Sequence, residues 1–334
     1  MAGTGTAHLR TDEPRVLTVR ELVVEFPTKH GQTVHAVSGI SFDLVAGETL
    51  GIVGESGCGK STAGRAIMQL PPPTSGSITL SDDVELTALD SKKLRRTRTN
   101  LQMILQDPIS SLNPRRRVKK LITEGPDIWG SEDKAATIER ARETLQTVGL
   151  NPDVVWDRKP SELSGGQCQR VCIARALMLD PELLICDEPV SALDVSVQAQ
   201  ILNLLEETKA RYNLSLVFIA HNMAVVKNIS DRIMVMYLGK MCEIAPSEGF
   251  QEHARHPYTR MLLDSIPDPN RRLNDSSAPA KTDQDITIEL PSPLNPPSGC
   301  RFRTRCPIAT DRCTVEEPLL REIRPQHYMA CHNA

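Results

Sequence analysis

The chain has 334 residues, of which 40% are hydrophobic, and its formal net charge is −3. This length allows one large domain with a real hydrophobic core and a smaller appendage. The nearly balanced charge excludes a global basic field of the kind that attracts nucleic acid.

Membrane-spanning and secreted classes are also disfavoured by the pattern of apolar residues. The longest apolar runs, such as 214–220, fall well short of the roughly 20 residues that a membrane-spanning helix needs. The first 14 residues lack the apolar stretch of a secretory signal. We therefore expect a cytosolic chain in which the nine cysteines are reduced.

The first predicted elements with a chemical signature are a buried strand over 48–54 and a helix over 61–70, joined by a glycine-rich loop. Glycines let backbone N–H groups close around an anion, and a helix N-terminus favours phosphate. The loop has the P-loop spacing, in which Lys60 contacts the β- and γ-phosphates and Ser61 holds magnesium. The predicted nucleotide-binding residues are Gly54, Glu55, Ser56, Gly57, Cys58, Gly59, Lys60, Ser61 and Thr62.

A second glycine-rich helix start lies further along the chain, at Ser164, Gly165, Gly166 and Gln167. Its free N–H groups predict a second anion site. One γ-phosphate is held by two such distant loops only if they converge. A head-to-tail dimer meets this condition, because each chain then offers its Ser164 loop to the nucleotide on the other chain.

The segment 182–189 reads as a short apolar strand that ends in two carboxylates. This pattern fits a Walker B element, in which Asp187 holds magnesium directly or through water and Glu188 polarises the attacking water. The alternative is a strand that ends in two solvated acids. The presence of the P-loop makes that alternative the minor one.

Taken in order, these motifs resemble the ATP-binding cassette (ABC) ATPases over most of residues 15–250. The resemblance implies that Gln106 senses the γ-phosphate and magnesium while it touches a transmembrane partner. It also implies that Asp194 contacts the second cassette, that His221 contacts the γ-phosphate and that an aromatic side chain stacks on adenine, for which Phe26 is the candidate. The matching stretches are GESGCGKST, ILQDP, LSGGQ, LLICDE, SALD and FIAHN.

Alternating strand-like and helix-like segments predict an α/β fold with parallel strands. The resemblance specifies a P-loop NTPase ABC cassette: a RecA-like core, a helical subdomain at about 107–165 and an N-terminal antiparallel β-subdomain. Half of the 24 prolines lie from Pro246 onward. We therefore expect the cassette over 15–250 and a small, irregular, cysteine-rich extension over 251–334, with a solvated linker at 268–285.

Three further stretches resemble the ATPase subunits of dipeptide, oligopeptide and nickel importers: 106–118, 256–267 and 291–307. The resemblance implies an ATPase on the cytoplasmic face of the membrane that energises peptide uptake. Its partners would be a second ATPase subunit, identical or paralogous, two integral membrane permeases and, indirectly, an extracytoplasmic substrate-binding protein, with no nucleic acid. A nickel or other small-solute importer and a soluble ATP-gated regulator are the alternatives.

The segment 291–334, called the tail below, contains four cysteines: Cys300, Cys306, Cys313 and Cys331. Reducing conditions disfavour disulfides, and structural zinc sites usually use closer cysteine pairs. Four thiolates also suit a 4Fe–4S cluster, which tolerates varied spacing, and importer ATPases similar to this chain can carry one. A 4Fe–4S cluster is therefore predicted, with Zn²⁺ or unliganded thiols as alternatives, beside ATP and Mg²⁺ at the nucleotide site.

Overall fold

Two β-sheets organise the protein, seen in a computed structural model that describes residues 5–130, 133–266 and 291–333. The smaller sheet is antiparallel with strand order β2-β1-β4-β5, and the larger has the order β11-β12-β10-β9-β3-β8-β7-β6. The strands are β1 (Arg15–Pro27), β2 (Thr33–Val45), β3 (Thr49–Val53), β4 (Ser75–Leu80), β5 (Val84–Glu85), β6 (Leu101–Ile104), β7 (Leu183–Asp187), β8 (Ser215–Ala220), β9 (Arg232–Tyr237), β10 (Lys240–Pro246), β11 (Arg321–Arg324) and β12 (His327–Met329).

The helices cover the larger sheet and fill the interval between β6 and β7. They are α1 (Lys60–Ile67), α2 (Ser91–Thr97), α3 (Val118–Trp129), α4 (Lys134–Thr147), α5 (Pro152–Val155), α6 (Gly165–Leu177), α7 (Val195–Tyr212), α8 (Met223–Ile229), α9 (Phe250–His253), α10 (Pro257–Asp264) and α11 (Arg312–Val315). The sequence-predicted helical subdomain at 107–165 contains α3, α4 and α5. Its boundaries, like the division at residue 250, stay predictions.

The centre of the larger sheet is parallel and fully buried. Strand β3 lies between β8 and β9 and is parallel to both, and β8 is parallel to β7. Every residue of β3, β7 and β8 is buried, as expected for strands covered on both faces. Parallel strands end at the same edge of a sheet, so the loops after β3, β7 and β8 are neighbours.

The two faces of this sheet pack into two hydrophobic cores. Leu216 and Phe218 belong to the core with α3, α6 and α7, whereas Val217 and Ile219 belong to the core with α1 and the smaller sheet. The alternation follows from the two-residue period of a strand. Helix α1 approaches β8 closely, since a Cβ built on Gly64 would lie 2.7 Å from Ile219 Cδ1.

The tail is more regular than the sequence predicted. Strands β11 and β12 form an antiparallel pair, and β12 pairs with β10, so the tail extends the larger sheet at the edge where β10 would otherwise be exposed. An uncovered edge strand is a site of unwanted pairing, which gives a physical reason for this arrangement. The predicted linker at 268–285 lies outside the described residues.

No helix in the described part of the chain combines the length and apolar character required to cross a membrane.

A buried polar cluster joins the tail to α10 and β10. The carboxylate of Glu243, fully buried in β10, accepts hydrogen bonds from the amides of Arg255 and His256, and its Oε1 lies 2.7 Å from Nε2 of His327. His256 begins α10, and its Nδ1 accepts the amide N–H of Tyr258 at 3.1 Å. Burial lowers the pKa of His256 from 6.5 to about 4. The imidazole is therefore neutral at pH 7.

The neutral His256 makes the free energy of unfolding depend on pH. Between pH 4 and 6.5 the unfolded chain binds the extra proton and the folded chain does not, so stability falls as pH falls through this window. The expected loss from this group between pH 8 and pH 5 is about 2 kcal/mol. Urea unfolding at several pH values measures it. His256→Asn, which keeps a helix-capping oxygen, should reduce the slope, whereas His253→Asn should leave it unchanged; equal slopes in all three proteins would contradict the prediction.

Candidate functional site

The glycine-rich loop follows β3 and opens α1, and two of its glycines are dictated by close backbone contacts. A Cβ on Gly54 would lie 2.1 Å from the Met236 carbonyl oxygen, and one on Gly59 would lie 2.1 Å from that of Ala36. Gly59 also has a φ of 103° at the N-cap of α1, a region that L-residues with a Cβ avoid. The loop therefore packs closely between β2 and the end of β9, and Ser56 and Gly57 are exposed at its tip.

Lys60 and Ser61, the first residues of α1, turn back toward the loop and the adjacent strand. Lys60 Nζ donates to the carbonyl oxygens of Gly54 at 2.7 Å and Glu55 at 2.9 Å. Ser61 Oγ donates to Oδ1 of Asp187 at 2.6 Å. Thr62 follows them on the helix. The structure therefore places a cation and a hydroxyl at a helix N-terminus beside a buried carboxylate.

Asp187 ends β7 with its side chain buried. Burial raises its pKa, although the hydrogen bond from Ser61 opposes the shift. Its Oδ2 has no hydrogen-bond partner within the described residues, and Arg65 Nη2 lies 3.7 Å from it. The Ser61 hydroxyl and the Asp187 carboxylate offer only oxygen atoms to a ligand. They fit Mg²⁺, which prefers oxygen ligands and keeps several waters.

Glu188 comes directly after Asp187, and its carboxylate contacts two of the other predicted catalytic side chains. Gln106 Nε2 donates to Oε2 of Glu188 at 3.1 Å, and Nδ1 of His221 lies 3.1 Å from the same oxygen. Glu188 adopts a φ of 49°, in the left-handed region. Such strain is uncommon for a non-glycine residue and is concentrated at functional sites. The three residues follow β6, β7 and β8, so the sheet edge assembles them.

The second anion site predicted at Ser164 is a well-capped helix start. Ser164 Oγ accepts the amide N–H of Gln167 at 3.3 Å, and Oε1 of Gln167 accepts the amide of Ser164 at 3.0 Å, which forms a capping box. A Cβ on Gly166 would lie 2.7 Å from Cγ1 of Val197, so the start of α6 packs on the start of α7, and one on Gly165 would lie 3.5 Å from Leu193, just before α7. Asp194 caps α7 and accepts from the amide of Val197.

Phe26, the predicted adenine-stacking residue, lies near the end of β1. It pairs with Val34 of β2, two residues before Ala36, whose carbonyl contacts the glycine-rich loop. The ring is 37% exposed. The hairpin thus presents an exposed aromatic side chain on the same strand pair that borders the loop.

Among the described residues, the side chains of Tyr258 in α10 and Arg305 in the tail make hydrogen bonds to the loop that sequence reasoning missed. Tyr258 Oη accepts the amide N–H of Glu55 at 2.8 Å. Arg305 donates from both terminal nitrogens to the Glu55 carboxylate, at 2.7 and 2.9 Å. Both belong to stretches noted for family resemblance, but nothing local in those stretches indicates a contact with residue 55.

The cluster predicted for the four tail cysteines finds no support in the structure. The described residues include all four thiols, which are free, and contain no group of three or more His, Cys, Asp or Glu side chains arranged to hold a metal ion. Cys300 and Cys306 pack against the hydrophobic core, and the Cys313 sulfur lies 3.5 Å from Thr310 and Asn333 polar atoms. Burial, with smaller contributions from the neighbouring Cys313, Cys331 and Cys306 thiols, raises the pKa of Cys300 to about 11. The Zn²⁺ alternative likewise finds no such group among the described residues.

Two family models match the chain. Residues 37–191 match the ABC transporter model, and residues 242–313 match the C-terminal region of oligopeptide/dipeptide transporters. Among curated relatives, the oligopeptide transport ATP-binding protein AppF of Bacillus subtilis is 46% identical over 329 residues, covering 96% of this chain and 98% of its own. This chain belongs to the ABC transporter family. It is an ATPase of the branch that carries the oligopeptide/dipeptide transporter C-terminal region.

Other relatives and solved structures agree with this assignment. The oligopeptide transport ATP-binding protein OppF of Haemophilus influenzae is 45% identical and covers 95% of this chain and 96% of its own. The dimeric, post-hydrolysis structure of the ATP-binding cassette MJ0796 with ADP and Pi is 27% identical, with a TM-score of 0.63 over 70% of this chain and all of its own. The sequence-predicted fold class, a P-loop ABC cassette, is confirmed.

The close contact at Gly59 generates a test of the loop. Gly59→Ala places a methyl group against the Ala36 carbonyl in a left-handed backbone, whereas Gly57→Ala has the same strain, at φ 80°, with nothing within 4 Å of its Cβ. We expect Gly57→Ala to lower the free energy of unfolding by about 1–2 kcal/mol and Gly59→Ala by clearly more. Urea denaturation of both variants measures the difference, and equal losses would show that the contact with β2 costs nothing.

Proposed function

We propose that this ATPase energises the import of peptides across the cytoplasmic membrane as a peripheral subunit of an ABC importer. The observation that carries the proposal is the convergence of Lys60, Ser61, Asp187 and Glu188 at one sheet edge, on a chain that also matches the oligopeptide/dipeptide transporter C-terminal region. The names of the relatives favour peptides over nickel or another small solute. In this assembly two ATPase subunits close on ATP and move two membrane permeases, and an extracytoplasmic binding protein delivers the cargo.

The nucleotide site is proposed as follows. Lys60 and the amides of the glycine-rich loop bind the β- and γ-phosphates, and the Phe26 ring stacks on adenine. Ser61 and Asp187 would hold Mg²⁺, which would neutralise charge on the phosphates. The 2.6 Å contact between these two side chains and the unpaired Asp187 oxygen support this role.

Hydrolysis is assigned to the group assembled around Glu188. The Glu188 carboxylate accepts the proton of the attacking water, and its short distances to Gln106 and His221 support this role. His221 is half exposed and therefore able to contact the γ-phosphate of a bound nucleotide. Gln106 links the site to the permease contact and would join the magnesium environment when nucleotide is present.

A dimer completes the site in this proposal. Ser164 caps α6 by accepting the amide N–H of Gln167. The other N–H groups of the first turn are left for an anion. That anion would be the γ-phosphate on the facing subunit, and Asp194, exposed beside this turn, would contact the same partner. The dimeric state of the MJ0796 cassette supports dimer formation.

Exposed apolar side chains beside Gln106 support a permease partner. Leu105 is 38% exposed and Ile109 is 58% exposed, and they flank Gln106 on a segment that connects β6 to α3. Clustered exposed apolar residues mark protein interaction sites.

The assembly is tested by purification from native membranes. An affinity-tagged chain should retain two integral membrane proteins after detergent extraction, identified by mass spectrometry, together with a second ATPase subunit or an untagged copy of this chain. A Glu188→Gln chain, which should hold ATP without turning it over, is expected to retain the same partners. Recovery of ribosomes or DNA in place of membrane proteins would favour a soluble regulator.

The role of Glu188 is tested by the isosteric change Glu188→Gln. The amide cannot accept the proton from water, so ATP turnover should fall by about 100-fold or more, while ATP affinity stays within about two-fold of the original. Steady-state ATPase assays and equilibrium nucleotide titration measure the two effects. Turnover close to that of the original protein would reject Glu188 as the base.

A further inference from the structure

The C-terminal region makes a direct ion pair with the glycine-rich loop. Both terminal nitrogens of Arg305 donate to the two carboxylate oxygens of Glu55, at 2.7 and 2.9 Å. The side chains are 14% and 24% exposed. A bidentate pair of this geometry fixes both position and orientation of the carboxylate. The two residues are 250 positions apart in the sequence.

An aromatic group holds the arginine in place. The guanidinium carbon lies 5.7 Å from the ring centre of Tyr237 and 5.9 Å from that of Phe302. These two rings and Tyr258 pack on one another, with ring centres 4.7 to 5.3 Å apart. Rings at this distance attract the cation, and their packing limits the positions that Arg305 can adopt.

A second arginine of the tail binds the same side of the site. Arg301 donates to the carbonyl oxygen of Leu238 and, at 2.8 Å, to Oγ of Ser38. Gly239, which follows Leu238 in the sequence, donates its amide N–H to the carbonyl oxygen of Cys58 in the glycine-rich loop, at 2.8 Å. The tail therefore reaches this loop through two routes, one ionic and one through the β9–β10 turn.

Glu55 is central to the shape of the loop, because each polar part of the residue has a defined partner. Its carbonyl oxygen accepts from Lys60 Nζ, its amide donates to Tyr258, and its carboxylate is paired with Arg305. Without the arginine, the carboxylate would be a free anion on the loop that receives the triphosphate. Like charges repel most strongly where water is partly excluded.

We propose that Arg305 is a positioning residue for ATP binding. By neutralising and orienting Glu55, it keeps the loop amides and Lys60 arranged for the phosphates, so the C-terminal region sets the nucleotide affinity of the cassette. The inference rests on the proposed role of the glycine-rich loop as the ATP site. It gives the oligopeptide/dipeptide transporter C-terminal region a function at the nucleotide rather than only at the sheet edge.

The first test compares Arg305→Met with Arg303→Met in the full chain. Arg303 lies in the same segment, and its hydrogen bonds go to Ser298 within the tail. Equilibrium titration with Mg–ATP should show that Arg305→Met raises the Kd about ten-fold, the effect of losing roughly one charge-assisted interaction. Arg303→Met should stay within about two-fold. Equal affinities of the two variants would overturn the proposal.

A double-mutant cycle separates positioning from general stability. In a Glu55→Gln background no carboxylate needs neutralising, so Arg305→Met should change the Kd by less than about two-fold. Arg305→Lys keeps the charge without the bidentate geometry and should recover part of the affinity. If Arg305→Met lowers ATP affinity equally in both backgrounds, or only in proportion to a lower melting temperature, the arginine has a structural role and the proposal fails.

The outcomes also distinguish this inference from the proposed function. If the original chain binds Mg–ATP and the Arg305 variants bind equally well, only the positioning role is rejected. If Lys60→Ala leaves the ATP affinity of the original chain unchanged, the glycine-rich loop is not the nucleotide site and the proposed function itself fails. Should Arg305→Met not fold, the Arg305→Lys titration carries the test, because that variant keeps the charge and loses the bidentate geometry. A Kd raised by about two- to ten-fold supports the positioning role, and an unchanged Kd overturns it.

Discussion

The site depends on one constraint, the parallel pairing of β3, β8 and β7. In this register Val53 lies opposite Ala220, and Asp187 lies opposite Ile219. The residues that follow these strand ends are therefore neighbours, although they come from three distant parts of the sequence. A shift of one residue in either pairing would turn every side chain of the shifted strand to the opposite face. The buried apolar faces of the three strands prevent such a shift and so fix the distances in the site.

This constraint explains why a buried carboxylate is tolerated at the end of β7. Burial of an unpaired charge is costly, and here it raises the pKa of Asp187. The hydroxyl of Ser61 and the cation of Arg65 partly offset that cost. A divalent cation with its waters would offset the cost of burying this carboxylate further. The end of β7 therefore favours binding of a positively charged ligand. The fold and the chemistry of the site are linked through this one residue.

Sequence reasoning anticipated the local geometry of the site and missed contacts that depend on long-range packing. The glycine spacing, the strand before Asp187 and the cap at Ser164 are local patterns, and the sheet then brings Gln106, Glu188 and His221 together. The contact between Arg305 and Glu55 has no local signal, because both residues are ordinary charged side chains in their own segments. The cluster predicted for the tail cysteines also depends on long-range geometry, because a metal site requires several side chains to converge on one point. The described residues show no group of three or more such side chains arranged to hold a metal ion.

The tail and the nucleotide then form one thermodynamic system. If pairing of Arg305 with Glu55 raises ATP affinity by some factor, bound ATP must favour that pairing by the same factor, because coupling between two binding equilibria is reciprocal. The tail also supplies β12 to the larger sheet and His327 to the buried Glu243 cluster. Any event that loosens the tail, such as protonation of His256 in acid, should therefore weaken ATP binding. Nucleotide binding should in turn stabilise a region that lies outside the motifs by which the cassette is recognised.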